Sequence, residues 1–183
     1  MNTPEQWQDD VLRFWFEELK PQSWFERDQQ VDDTIRSRFS TLHDRLSKQP
    51  SVEAIHSARE ALATVIVLDQ FSRNLFRGSP RAFATDAQAL RIAQHAIEHG
   101  WDQALSPTQR VFLYMPFQHA EDRSVQERSV ELFAALGDPQ ALDYARRHKA
   151  VIDQFGRYPH RNAALGRAST IEEIEFMKTH PGF

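Results

Sequence analysis

Three stretches of this chain carry side chains whose types and spacing could do chemistry. The first is Leu68-Asp69-Gln70-Phe71-Ser72-Arg73-Asn74-Leu75-Phe76-Arg77-Gly78. On a helix, Asp69 and Arg73 are neighbours, as are Gln70 and Asn74, because residues four apart share a face. Arg77 lies one turn further on, before Gly78. These polar groups emerge from the most apolar run in the sequence, and buried charges must be paired and hydrogen-bonded. Two readings stand: an internal Asp–Arg network that ties helices together, or a ligand site formed by Gln70, Arg73, Asn74 and Arg77.

The second stretch is Tyr114-Met115-Pro116-Phe117-Gln118-His119-Ala120-Glu121-Asp122. Pro116 inside a helical pattern removes a backbone donor and crowds the carbonyl of Phe112, where helices kink. Beyond it His119 and Asp122 stand three residues apart, with Glu121 beside them. Histidine with a carboxylate can do general acid–base work. Two ligands on one face are fewer than a metal ordinarily takes, so no metal is expected. The bland alternative is a histidine hydrogen-bonded within a helix junction.

The third is Phe155-Gly156-Arg157-Tyr158-Pro159-His160-Arg161-Asn162, which follows a helix stop and contains proline, and so reads as a loop. Loops positioned by rigid elements often carry binding residues. The forked guanidiniums of Arg157 and Arg161, with Asn162, suit carboxylate or phosphate groups. They could equally answer acids elsewhere in the chain. Candidate acid–base residues are therefore His119, Asp122, His160 and Asp69. Arg73 and Arg77 are expected to meet His160 and Arg161, with His119 and Asp122 nearby.

Much else is excluded. The 183 residues contain no cysteine, which removes disulfides, thiolate metal sites and cysteine nucleophiles. There is no phosphate-binding glycine loop, nucleophile elbow or HExxH motif, and no cofactor is indicated. The formal net charge of −4 gives no global pull toward nucleic acid or an anionic membrane. The longest apolar run, Ala61 to Leu68, is far shorter than the ~20 residues a spanning helix needs, and the polar opening is unlike a signal peptide. Cytoplasmic location is the expectation. Charge is uneven, however: the segments 71–84 and 155–168 contain several arginines and no acid.

The elements that position these groups read as helices throughout. Caps of the Ser/Thr-x-x-Glu/Gln type recur at Thr3, Ser57, Thr85, Ser106, Ser124 and Thr170, and Asp138-Pro139 supplies a related start. Gly100 and Gly156 stand where left-handed caps end helices. Apolar residues between caps recur with a period near 3.6. The pattern predicts helices over 4–19, 28–48, 58–76, 86–99, 107–121, 125–136, 139–155 and 171–178. The run 61–68 is rich in β-branched residues but has a cap before it and no partner strand, and is expected to be the central buried helix. No linker interrupts the chain, so a single all-helical domain over 1–183 is expected, with helices in antiparallel pairs.

Read together, segments 68–86, 114–133 and 155–170, with Val11–Glu18 and Trp24–Asp28, resemble the bacterial family catalogued as domain of unknown function 924. The resemblance covers nearly the whole chain in order. It implies an all-α, tetratricopeptide-like superhelical bundle, and it implies no activity, because that family has none established. On the residues themselves the leading expectation is a helical module that binds a small anionic ligand or an acidic peptide. A hydrolase or lyase using histidine–carboxylate chemistry with arginine clamps is the second, and an assembly protein with a purely internal polar network the third.

Overall fold

Side-chain caps decide where most helices of this chain begin. The computed structural model describes residues 6–48, 52–180 and 182, and among them there is no β-strand. The chain divides into two compact units, one of Met1–Arg77 with Arg81–Pro116 and one of Gly78–Pro80 with Phe117–Phe183.

In the first unit α1 (Gln6–Arg13) runs into a π-helical turn at Phe14–Glu18, and α2 spans Gln29–Leu46. Next, α3 (Ala58–Val65) continues through a further π-helical stretch, Ile66–Phe71, into the short α4 (Ser72–Leu75). Helix α5 covers Asp86–Glu98, and α6 covers Pro107–His119 with Pro116 inside it. The last three residues of α6 are counted with the second unit. That unit also holds α7 (Arg123–Ala135), α8 (Pro139–Phe155) and α9 (Ile171–Thr179).

Several expected caps form. Ser57 accepts from the amide of Glu60 and Asp138 from those of Gln140 and Ala141, while Asp28, which the cap pattern did not include, accepts from Gln30 and Val31. Ser106 with Gln109 and Thr170 with Glu173 make reciprocal boxes, each satisfying two otherwise orphaned amides. Two expected caps are corrected. Thr85 caps nothing, because its hydroxyl donates to Leu68 O at 2.6 Å instead. Helix α7 starts at Asp122, whose carboxylate accepts from Val125 N at 3.0 Å, and Ser124 merely donates to it. The proposed Thr3 cap lies outside the described residues.

The run from Ala61 to Phe71 is buried without interruption, as a central helix must be. Phe71 packs edge-on against Trp15, with ring centroids 5.6 Å apart, and Phe14, Phe39 and Phe112 extend the same aromatic core. Such offset contacts add to the burial of large rings. The periodicity gave no sign of the π register at Ile66–Phe71. In that wider register the carbonyls of Leu68 and Asp69 take side-chain donors: Ser72 and Thr85 hydroxyls at Leu68 O, both at 2.6 Å, and Arg73 Nη1 at Asp69 O, 2.8 Å. The buried His43 joins this group, with Nε2 2.7 Å from Ser72 Oγ, which in turn lies 2.8 Å from Thr85 Oγ1.

In the second unit α7 packs along α8. Val151, Ile152 and Tyr158 form a buried cluster, flanked by Phe155 and Phe176. Gly156, at φ 72°, closes α8 in the left-handed conformation that the sequence pattern requires there.

Candidate functional site

The candidate residues separate into two groups, one in each unit, and each has its own electrostatics. In the first unit the arginines are engaged by acids. Arg73 makes a bidentate pair with Asp86, at 2.9 and 3.0 Å, and reaches Asp69 Oδ1 at 3.2 Å. Arg77 forks onto Asp32, Nε to Oδ2 at 2.6 Å and Nη2 to Oδ1 at 2.8 Å, and Asn74 donates to the same carboxylate at 2.7 Å. Burial alone would raise the Asp32 pKa. Hydrogen bonds from Arg77 and Asn74 outweigh that and hold it below the ordinary carboxylate value. The expected Gln70–Asn74 pair does not form, because Gln70 donates to Asp69 and to Met115 Sδ. Asp69, fully buried, receives Gln70 and Arg73 on its two oxygens, so within its own unit it is part of an ion-pair network.

In the second unit Arg157 and Asn162 are also structural. Arg157 pairs with Glu173 through Nε at 2.7 Å and Nη2 at 2.9 Å, and caps Ala168 O. Asn162 donates to Glu173 and accepts from Arg167 at 2.9 Å. The hydrogen bond from Arg157, aided by the Thr170 amide and Asn162 against the cost of burial, brings the Glu173 carboxyl down to about 2. An open surface depression of about 510 Å³ lies here, lined by Arg157, Thr170 and Glu173 among others. Its guanidinium is already matched, so it is a poor place for an anion.

Next to that network Arg167 forks onto Glu121, which also accepts the Tyr158 amide at 2.7 Å. Burial would raise Glu121, but Arg167, the Tyr158 amide and the charge of Arg161 lower it on balance. The pairing of His119 with Asp122 on one helical face is corrected: α6 stops at His119, and Asp122 is the exposed cap of α7.

What the second unit does bring together is a ring of cationic and imidazole groups round Tyr158. Arg161, only 6% exposed, lies over the phenol ring with Cζ 4.8 Å from its centroid. His160 flanks the ring at 5.5 Å and His148 at 5.8 Å, and His119 stands 6.3 Å from His148. The phenol itself is anchored: its hydroxyl donates to Gln118 O, and Gln126 Nε2 donates to the hydroxyl at 2.8 Å. Gln126 also reaches the carbonyls of Gln118 and Ala120, both at 2.8 Å, tying the end of α6 to α7. His148 donates from Nδ1 to Tyr144 O at 2.8 Å. Burial drives its pKa to about 3, and the charges of His119, Arg161 and His160 push the same way, so it is neutral at physiological pH. Among the described residues no three His, Asp or Glu side chains are placed to hold a metal, the three histidines included.

His148, Tyr158, Gln126 and Glu121 were not singled out by sequence reasoning. His148 had a signal: it falls three residues after Ala145 and four before Ile152, on the apolar stripe of α8, where a titratable group is out of place. Tyr158 sits inside the third stretch but between four more conspicuous polar residues.

Comparison with known proteins carries no activity to this site. Residues 11–181 match the family described as bacterial protein of unknown function (DUF924). A solved structure of a protein of unknown function from Agrobacterium tumefaciens is 36% identical, with TM-score 0.88 over 97% of this chain and 100% of that one. No curated protein matches. Among the described residues no helix is long and apolar enough to cross a membrane.

Proposed function

We propose that this chain, which belongs to the bacterial DUF924 family of unknown function, binds a small anion in its second unit. The observation that carries the reading is the grouping of Arg161, His160 and His148 about Tyr158, with His119 beside His148. In the adjoining network Arg157 forks onto Glu173 and Arg167 onto Glu121, and Glu121 also feels the charge of Arg161. An incoming anion would gain hydrogen bonds from a guanidinium held in place over the Tyr158 ring. Arg161 is nearly buried, which favours a small oxyanion over an acidic peptide.

The test is thermal unfolding with phosphate, sulfate and small carboxylates at constant ionic strength. An anion at about one hundred times its dissociation constant stabilises by ~2.7 kcal/mol, roughly 5–10 °C for a chain this size. Arg161→Ala abolishes the rise, and Arg146→Ala, at an exposed position of α8, leaves it intact. If no anion raises the melting temperature, or if Arg161→Ala only lowers the starting value, the cluster is internal structure and the binding reading falls.

A further inference from the structure

Away from the candidate site, the end of α5 puts two imidazoles side by side. His95 and His99 are four positions apart, so they share a helical face. Their ring centroids are 4.2 Å apart, at an interplanar angle of 50°. His95 is half-buried and His99 exposed, so solvent reaches the pair. Gly100, at φ 68°, then turns the chain in a left-handed conformation that glycine adopts without steric cost. The turn folds Trp101 back over both histidines, its ring centroid 5.4 Å from that of His95 and 4.9 Å from that of His99. His99 Nδ1 lies 2.8 Å from His95 O. A carbonyl only accepts, so His99 carries a hydrogen on Nδ1, and in the neutral ring the lone pair is on Nε2. Metal-binding histidines are oriented in this way, one nitrogen held by a backbone carbonyl and the other given to the ion. The pair also stands at the C-terminal end of a helix of 13 residues, where the partial negative charge favours a cation.

We propose that His95 and His99 bind a divalent transition-metal ion, copper(II) in preference to zinc(II). Imidazole suits both metals, and the intrinsic order of affinity places copper first. Geometry adds to that preference. With metal–nitrogen bonds of ~2.0 Å, two imidazoles at a right angle have centroids roughly 4.5 Å apart, whereas the tetrahedral angle of zinc asks for roughly 5.2 Å. The observed 4.2 Å is nearer the first value, which belongs to the tetragonal geometry of copper(II). Among the described residues no third His, Asp or Glu side chain joins the pair. Water fills the remaining positions, which makes the ion exchangeable rather than a part of the fold. Trp101 covers one side of the pair and serves as a built-in reporter, because copper(II) quenches indole fluorescence at such short range. The site lies in the first unit and is independent of the anion reading.

The experiment is titration of the full chain with copper(II) and zinc(II) chlorides in a non-coordinating buffer at pH 7, followed by tryptophan fluorescence and by calorimetry. The expected result is a fluorescence loss that saturates at one equivalent of copper and is reversed by EDTA, with copper bound at least tenfold tighter than zinc. His95→Ala and His99→Ala should each weaken copper binding at least tenfold. In Trp101→Phe the heat of binding should remain and most of the quenching should vanish, although Trp7, Trp15 and Trp24 are still present. Binding should also weaken in acid, as protons compete for the imidazoles. Zinc bound as tightly as copper overturns the preference and leaves the pair a metal site. Copper that binds His95→Ala and His99→Ala as tightly as the wild type, or that leaves the wild-type fluorescence unchanged, overturns the site, and the cluster is then aromatic packing at a helix end.

Discussion

Arg77 belongs to the first unit and Arg161 to the second unit, and in the sequence the two are alike, each a guanidinium just beyond an apolar run. Their surroundings differ. Arg77 is forked by Asp32, forty-five positions away in the chain, and the same carboxylate holds Asn74. Arg161 lies on an aromatic face, with two imidazoles against the same ring and a third, His119, beside His148. In the first unit two arginines meet Asp32, Asp69 and Asp86, so attraction within the protein settles their charge. In the second unit Glu173 answers Arg157 and Glu121 answers Arg167. Residue type does not say which guanidinium is forked by which carboxylate; the acids that distant elements bring to it do.

That contrast is breakable, beginning with the largest effect. Asp32→Ala leaves the Arg77 fork and Asn74 without their acceptor and should cost on the order of 3 kcal/mol, read from denaturant unfolding. The anion response of the second unit should not change. If Asp32→Ala is nearly neutral, the first unit is no tie. The pH profile adds a check. Because the folded Asp32 pKa lies below the unfolded one, its contribution is present above the ordinary carboxylate value and is lost as pH falls through the folded one.

Glu173→Gln should cost about 2 kcal/mol, the scale of charge-assisted hydrogen bonds, since Arg157 loses its partner. The wild-type carboxyl titrates near 2 in the folded state, below its ordinary 4.5. Its contribution is therefore complete above about pH 4.5 and disappears as the solution is acidified toward pH 2. Acid titration of unfolding should show that loss in the wild type and not in the variant. A variant equally acid-sensitive would mean that the pair contributes nothing.

Asp122→Ala removes the cap of α7 and should cost about 1 kcal/mol, with anion binding unaltered. Ser124→Ala should stay within about 0.5 kcal/mol, as a surface substitution. Loss of anion binding in Asp122→Ala would restore it as a partner of His119.

Most of the fold was legible because caps and a 3.6 period are local. Asp138, Ser106 and Thr170 act on residues two or three positions away, and the sequence displays both partners. The misreadings at Thr85 and Ser124 share a cause: a hydroxyl has other acceptors in reach, Leu68 O and Asp122, and the pattern cannot rank them. The site was half legible. Arg161 and His160 were visible as types, and His119 as a residue near a proline. The partners of Arg77 and Arg157 are Asp32 and Glu173, brought in by tertiary structure alone.

The π-helical stretch at Ile66–Phe71 acts as a gear in the middle of the buried rod. It closes hydrogen-bonded turns one residue wider than those of the α-helices on either side. The wider turn absorbs one residue: removing it would let the rod relax to uniform α winding while Asn74 and Arg77 kept nearly the same direction, toward Asp32. A deletion in the ordinary α stretch before it, Ala58–Val65, has no such buffer and would turn everything up to Arg77 by about 100°, the angle between successive residues of an α-helix. Within one buried rod, then, the tolerance to a change of length differs from one turn to the next.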